Sequence, residues 1–146
     1  MKNEPMFEWD PESGTATCVL TDGQNIFLGI ATCGPEDRDM MNEKTGCQIA
    51  MQRAKIDYLK HIRDNELKPR LSALKQLYYS INKSKHFNEN AYETKMLCRQ
   101  IYLTKSDLDM IKDEITQTKQ ELKLYLEEKG KFYQRIREQR QKDKNN

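Results

Sequence analysis

Between two segments of helical periodicity lies Lys83-Ser84-Lys85-His86-Phe87-Asn88-Glu89-Asn90, a polar stretch carrying a single aromatic ring. Arg99 follows about two to three turns into the next helical segment. This mixture suits a phosphorylated ligand that carries a base. An aromatic ring offers a stacking face worth about 1–3 kcal/mol, cations hold phosphate oxygens, and amides read base edges or ribose hydroxyls. Phe87, Asn88, Asn90, Arg99 and Lys85 are therefore candidate binding residues. The same residues fit a plainer account, in which Phe87 closes the end of a helical core and the lysines keep the loop soluble. A second group is Ala31-Thr32-Cys33-Gly34-Pro35-Glu36-Asp37 with Arg53 beyond it. The Gly34-Pro35 junction at a strand end exposes backbone N–H groups to an anion. Arg53 either reaches the same neighbourhood or pairs at the surface with Glu36 or Asp37.

Motifs for catalysis are missing. The chain has no GxSxG, HExxH, P-loop or GxGxxG, and Asp107/Asp109 and Glu127/Glu128 fall on a solvated helix face. The expectation is that the protein is not an enzyme. Cys18, Cys33, Cys47 and Cys98 show no CxxC spacing, and His61 and His86 form no ligand cluster with them, so neither a metal site nor a cofactor is expected. Cys18 and Cys33 are placed symmetrically about a turn, as cross-strand neighbours would be. Charge is uneven: residues 1–45 hold three basic and nine acidic residues, and residues 129–146 hold seven and two. That asymmetry suits head-to-tail association or a weak polyanion contact. No nucleic-acid recognition module is legible, and no specific DNA partner is expected.

The elements that must position these residues come from periodicity and turn chemistry. Thr15–Thr21 and Gln24–Ala31 are β-prone runs about Asp22-Gly23, which predicts a hairpin with a type I′ turn; Phe7 and Trp9 lie in a segment suited to a third strand. Pro35 suits the first turn of a short helical segment. Thr45-Gly46-Cys47-Gln48 reads as a capping box, and Ile49, Ile56, Leu59, Leu67, Leu71, Leu74, Tyr78 and Ile81 carry an apolar stripe from there. Pro69 is expected to kink this helix or divide it. Asn90 with Glu93 suits the next cap. From Leu97 through Ile101, Thr104, Leu108, Ile111, Ile115, Thr118, Leu122, Tyr125, Lys129 and Phe132 to Ile136, spacings of four and three alternate as in a coiled-coil seam roughly 60 Å long. Residues 139–146 read as frayed.

With 146 residues, 36% of them hydrophobic and 33% charged, the chain carries little to bury in a compact globule. The fold expected is α+β: a small N-terminal antiparallel sheet over 1–45, then a long helical region over 46–146. Its helices, over about 46–83 and 90–140, form a helical hairpin or coiled coil in a homo-oligomer that acts as a single functional unit. The longest apolar runs are too short to cross a membrane, and the opening residues lack the apolar stretch of a signal peptide. A cytoplasmic protein is the expectation.

The stretch from Val19-Leu20-Thr21-Asp22-Gly23 through Phe27-Leu28-Gly29-Ile30-Ala31-Thr32-Cys33-Gly34-Pro35-Glu36-Asp37, with Thr45-Gly46-Cys47-Gln48-Ile49-Ala50-Met51-Gln52-Arg53-Ala54, resembles the phage proteins of the Thoeris anti-defence 1 family. The shared pattern is a short strand pair, a cysteine-x-proline-glutamate-aspartate junction, and a Gly-x-x-Ile-Ala-x-x-Arg-Ala helix start. It covers roughly residues 15–60 by motif and the remainder by architecture alone. The resemblance implies a sponge that binds a cyclic ADP-ribose isomer made by a bacterial TIR-domain immune enzyme and holds it uncleaved. Cyclic oligonucleotides, which some members hold at separate sites, are the second implied ligand. Ligand in that family lies in recesses between subunits. Arg53 matches the arginine of the helix-start motif, whereas no motif anchors Phe87, Asn88, Asn90 or Arg99. An assembly protein with no small-molecule ligand is the alternative.

Overall fold

A computed structural model of the chain describes residues 4–34, 42–84 and 86–145. Three strands, β1 (Met6–Asp10), β2 (Thr15–Thr21) and β3 (Ile26–Thr32), form one antiparallel sheet in the order β1-β2-β3. Helix α1 (Glu43–His61) runs into a π-helical segment (Ile62–Leu67) and then α2 (Lys68–Asn82). Helix α3 spans Tyr92–Asn145. The architecture is α+β, a small antiparallel sheet followed by long helices. Among the described residues no helix is long and apolar enough to cross a membrane. The chain divides into two compact units, Met1–Tyr58 with Thr116–Asn146, and Leu59–Ile115.

In the first unit the strands alternate as a sheet with one covered face requires. Ala16, Cys18 and Leu20 of β2 and Phe27 and Ala31 of β3 are buried, while Ile26, Leu28 and Ile30 are exposed. Register sets Ala16 opposite Ala31, Cys18 opposite Gly29 and Leu20 opposite Phe27. Onto this face α1 lays Ala50 and Ala54, both fully buried and one turn apart. Their smallness, with the absence of a side chain on Gly29, brings helix and sheet backbones together. A Cβ on Gly29 would coincide with the Ala50 carbonyl oxygen and lie 2.6 Å from the Ala54 nitrogen. Tyr58 closes the layer edge-on to Phe27, with ring centroids 5.1 Å apart.

Several local expectations are corrected here. The β2–β3 turn is not type I′: Gly23 has φ of 96°, but no residue other than glycine has positive φ among the described residues. Thr21 pairs with Ile26 across a longer loop. The Asp22 carboxylate organises it by accepting the N–H groups of Gln24 and Asn25 at 2.9 and 2.7 Å, an Asx turn. Cys18 and Cys33 are not cross-strand neighbours, since Gly29 faces Cys18 and Cys33 donates its N–H to Gly14 at 3.0 Å. Helix α1 starts before the expected capping box. Asn42 accepts the Thr45 N–H at 2.7 Å and Thr45 is buried, so the N-cap is asparagine. The short helix expected at Pro35 falls outside the described residues.

The second unit answers the question posed by Pro69. Helical backbone continues past it, because the π-helical turn shifts the bonding pattern just before the proline. Lys68 donates its N–H to Arg63 O, five residues back, and Pro69, which has no N–H to offer, falls in the first turn of α2. Arg63 holds Asp64 in the same turn through Nε at 2.8 Å and Nη2 at 3.0 Å, and Lys68 approaches Asp64 at 3.3 Å. Leu59, Leu67, Leu97, Leu108 and Ile115 are buried in this unit. Thr104, also buried, satisfies its hydroxyl on the Gln100 carbonyl at 2.8 Å, the back-bond that lets threonine sit inside a helical stripe. At the next connector the cap expected of Asn90 is not made. Asn88 accepts the Asn90 N–H at 2.9 Å, and Ala91 precedes the helix with its carbonyl on the Lys95 N–H.

The α3 stripe is therefore occupied within the single chain from Leu97 to Thr118. Farther along, the expected positions Leu122, Tyr125, Lys129 and Ile136 are half-buried, and the pattern departs only at Phe132, which is 45% exposed while Tyr133 is half-buried. Residues 139–145, expected to fray, are helical and carry a Gln139–Asp143 bond at 3.1 Å.

Gly29→Ala should lower the melting temperature sharply, at a cost of about 3 kcal/mol from overpacking against backbone. Gly130→Ala, with nothing within 4 Å of the added Cβ, should instead raise stability by about 0.8 kcal/mol. Thermal denaturation of both variants checks the pair. The hydrogen bond from Arg63, with Lys68 beside it, holds the Asp64 carboxyl down to about 2 from its ordinary 3.8. Its contribution is thus present above the ordinary carboxylate range and lost as pH falls towards 2. A carboxyl-carbon NMR titration should find the Asp64 inflection there, and Arg63→Gln should return it towards the ordinary value.

Candidate functional site

Arg53 and the connector residues belong to different units: Arg53 to the first, and Phe87, Asn88, Asn90 and Arg99 to the second. In the first unit, the motif that places Ala50 and Ala54 on the sheet also aims Arg53, one residue before Ala54, along the outer side of β3. Its Nη1 donates to the Ile30 carbonyl at 2.7 Å. Arg53 lines a recess of about 220 Å³ with Thr32, Cys33, Gly34, Thr45 and Tyr133 among its walls. Gly34 has open space around its Cα, so backbone is accessible there. The expected meeting of Arg53 with the Cys33-Gly34 strand end is thus observed. Its alternative partners, Glu36 and Asp37, lie outside the described residues.

In the second unit Phe87 is half-buried and stands edge-on to Tyr78, with centroids 6.4 Å apart and planes at 88°. Its N–H donates to Ser84 O at 3.2 Å, fixing the turn that carries the ring. Beside this pair a recess of about 350 Å³ is lined by Lys75, Tyr78, Tyr79, Cys98, Ile101 and Lys105. Lys83 sits over the Tyr79 ring, 4.3 Å from its centroid, a cation–π contact. Two lysines and two tyrosines therefore line one concavity.

The aromatic singled out by the sequence, Phe87, is not among the recess walls, and the sequence reading passed over Lys75 and Lys105, which are. Asn88 commits its Oδ1 to the turn at Asn90, and both are exposed. Arg99 is exposed on α3 and is not among the recess walls, whereas its neighbours Cys98 and Ile101 are. Lys85 lies outside the described residues. Lys75 and Lys105 carried a usable signal: Lys75, Tyr78 and Tyr79 are three and four residues apart, and so are Cys98, Ile101 and Lys105. Helical spacing of that kind places each trio on one face.

Two thiols of the first unit, Cys18 and Cys47, are held in their neutral form. Cys18 is raised above the ordinary thiol range first by burial and then by Cys47. Cys47 is raised first by burial and then by Glu43. Both therefore stay protonated at neutral pH.

Comparison with protein-family models, with curated proteins and with solved structures gave no match to this chain.

Proposed function

We propose that this chain binds a cyclic ADP-ribose-type nucleotide and withholds it uncleaved from a Thoeris immune effector, acting as a phage anti-defence protein in the bacterial cytoplasm. The observation that carries the reading is the second-unit recess, where Lys75 and Lys105 share one concavity with Tyr78 and Tyr79 and Phe87 packs edge-on behind Tyr78. Ammonium groups suit phosphate oxygens, phenol rings suit an adenine face, and a volume near 350 Å³ lies within the range of small-ligand sites. Arg53, positioned by the helix-start motif, supplies a further cation in the first unit. Homo-oligomerisation and the holding of cyclic oligonucleotides belong to the same reading through the family resemblance.

Sequestration asks for preorganised contacts and no reacting group. The second reading is an assembly protein without a ligand. Leu103, Met110 and Leu124, exposed on α3 at multiples of seven residues, favour it.

Calorimetric titration with cyclic ADP-ribose isomers, followed by heat release and chromatography of the nucleotide, separates the two. Binding with intact nucleotide recovered supports the sponge, and a cleaved product would make the protein an enzyme. No heat from a folded protein leaves the assembly reading. At a hundredfold excess over Kd the ligand should stabilise the fold by about 2.7 kcal/mol. Phe87→Ala should weaken binding roughly tenfold, about 1.4 kcal/mol, with oligomer mass unchanged. The double change Lys75→Ala with Lys105→Ala should weaken it further and flatten its salt dependence.

A further inference from the structure

Among the described residues strand β3 is an edge of the sheet, and of the usual edge protection it carries only the Arg53 guanidinium on the Ile30 carbonyl. The chain is 33% charged, yet no charged residue occurs between Asp22 and Glu36. Within Ile26–Thr32 there is no proline or lysine, and every residue pairs in register with β2, so no bulge twists the edge away. Ile26, Leu28 and Ile30 are 68, 53 and 51% exposed on the open face. Leu28 continues a row through Val19 to Met6, which is itself 62% exposed.

The ladder decides which backbone groups are on offer. Cys33 donates to Gly14, and antiparallel pairs alternate between bonded and non-bonded. Ala31, Gly29 and Phe27 therefore turn their amides to β2, leaving those of Ile26, Leu28, Ile30 and Thr32 to point outward. Arg53 occupies one lone pair of the Ile30 carbonyl, and the oxygen retains a second.

We propose that β3 pairs antiparallel with β3 of a second copy of this chain, about a two-fold axis at Leu28, making one continuous sheet across two subunits. The sequence Ile26-Phe27-Leu28-Gly29-Ile30 is palindromic in its outward residues, isoleucine, leucine and isoleucine, as an isologous contact requires. In this register Leu28 exchanges both hydrogen bonds with the partner's Leu28, and Ile26 does so with the partner's Ile30. The open-face rows join as Met6, Val19 and Leu28 continuing into the partner's Leu28, the partner's Val19 and the partner's Met6. The strand's own side chains carry no charge and so add no like-charge repulsion across the axis. Thr32, on the rim of the Arg53 recess, stands opposite the partner's Gln24, so the partner's hairpin loop completes that rim. The pairing holds whatever the recess binds.

The test is the mass of the full chain by light scattering after gel filtration. Wild type should be an even multiple of the 17.3 kDa chain, and Leu28→Lys, at an exposed position, should halve that mass with the circular dichroism spectrum retained. Leu28→Cys in a Cys98→Ser background should form a disulfide on mild oxidation with diamide, identified by mass spectrometry of the cross-linked peptide. Cα atoms in a bonded antiparallel pair are about 5.5 Å apart, within disulfide reach. A monomeric wild type, an unchanged mass for Leu28→Lys, or failure of Leu28→Cys to cross-link would overturn the pairing. The cross-link decides the matter if Leu28→Lys does not fold.

Discussion

The contact on which the first unit depends is backbone against backbone: Gly29 of β3 under Ala50 and Ala54 of α1. Helices ordinarily stand off a sheet by the thickness of their side chains, and here three small residues remove that thickness. Close approach multiplies dispersion contacts among atoms that the chain has few of, given how little of its composition is apolar. It also fixes the helix along its axis. Ala50 and Ala54 have a single place to sit, and Arg53 is carried to the Ile30 carbonyl as a consequence. A cation is thus aimed by the packing of Ala50 and Ala54, which flank it in the helical turn.

Constraint of another kind shapes the second unit. Pro69 removes a donor from a helix that must continue, and the π-helical turn before it absorbs the loss. Leu67, the last residue of that turn, is buried. Tyr78 then meets Phe87 edge-on, and the connector closes over the ring rather than displaying it. Phe87 packs on Tyr78, as the plainer account of its sequence has it, and Tyr78 rather than Phe87 lines the recess.

The helix α3 illustrates how much a repeat can say. Its spacings of four and three name Leu97, Thr104, Leu108, Ile115 and Thr118 as buried, and they are. The same repeat names Phe132, and there the structure chooses Tyr133. Periodicity states which residues share a stripe, and within it the structure can exchange one position for its neighbour and resume at Ile136.

What the sequence by itself determined is local. Alternation gave the strands, Asp22-Gly23 gave a turn after Thr21 but started the next strand at Gln24 where the structure starts it at Ile26, and spacing gave the helices and most of their buried positions, because each depends on neighbours a few residues away. The type of the β2–β3 turn was misread, since the Asp22 carboxylate competes with the backbone for the same N–H groups. The tertiary structure decided what distant segments share. It set Gly29 against Ala50, placed Arg53 at Ile30, and brought Lys75 and Lys105 around Tyr78 and Tyr79 while leaving Arg99 outside. Those choices rest on how two backbones approach and on which face of each helix is covered, and neither is encoded at any single position in the chain.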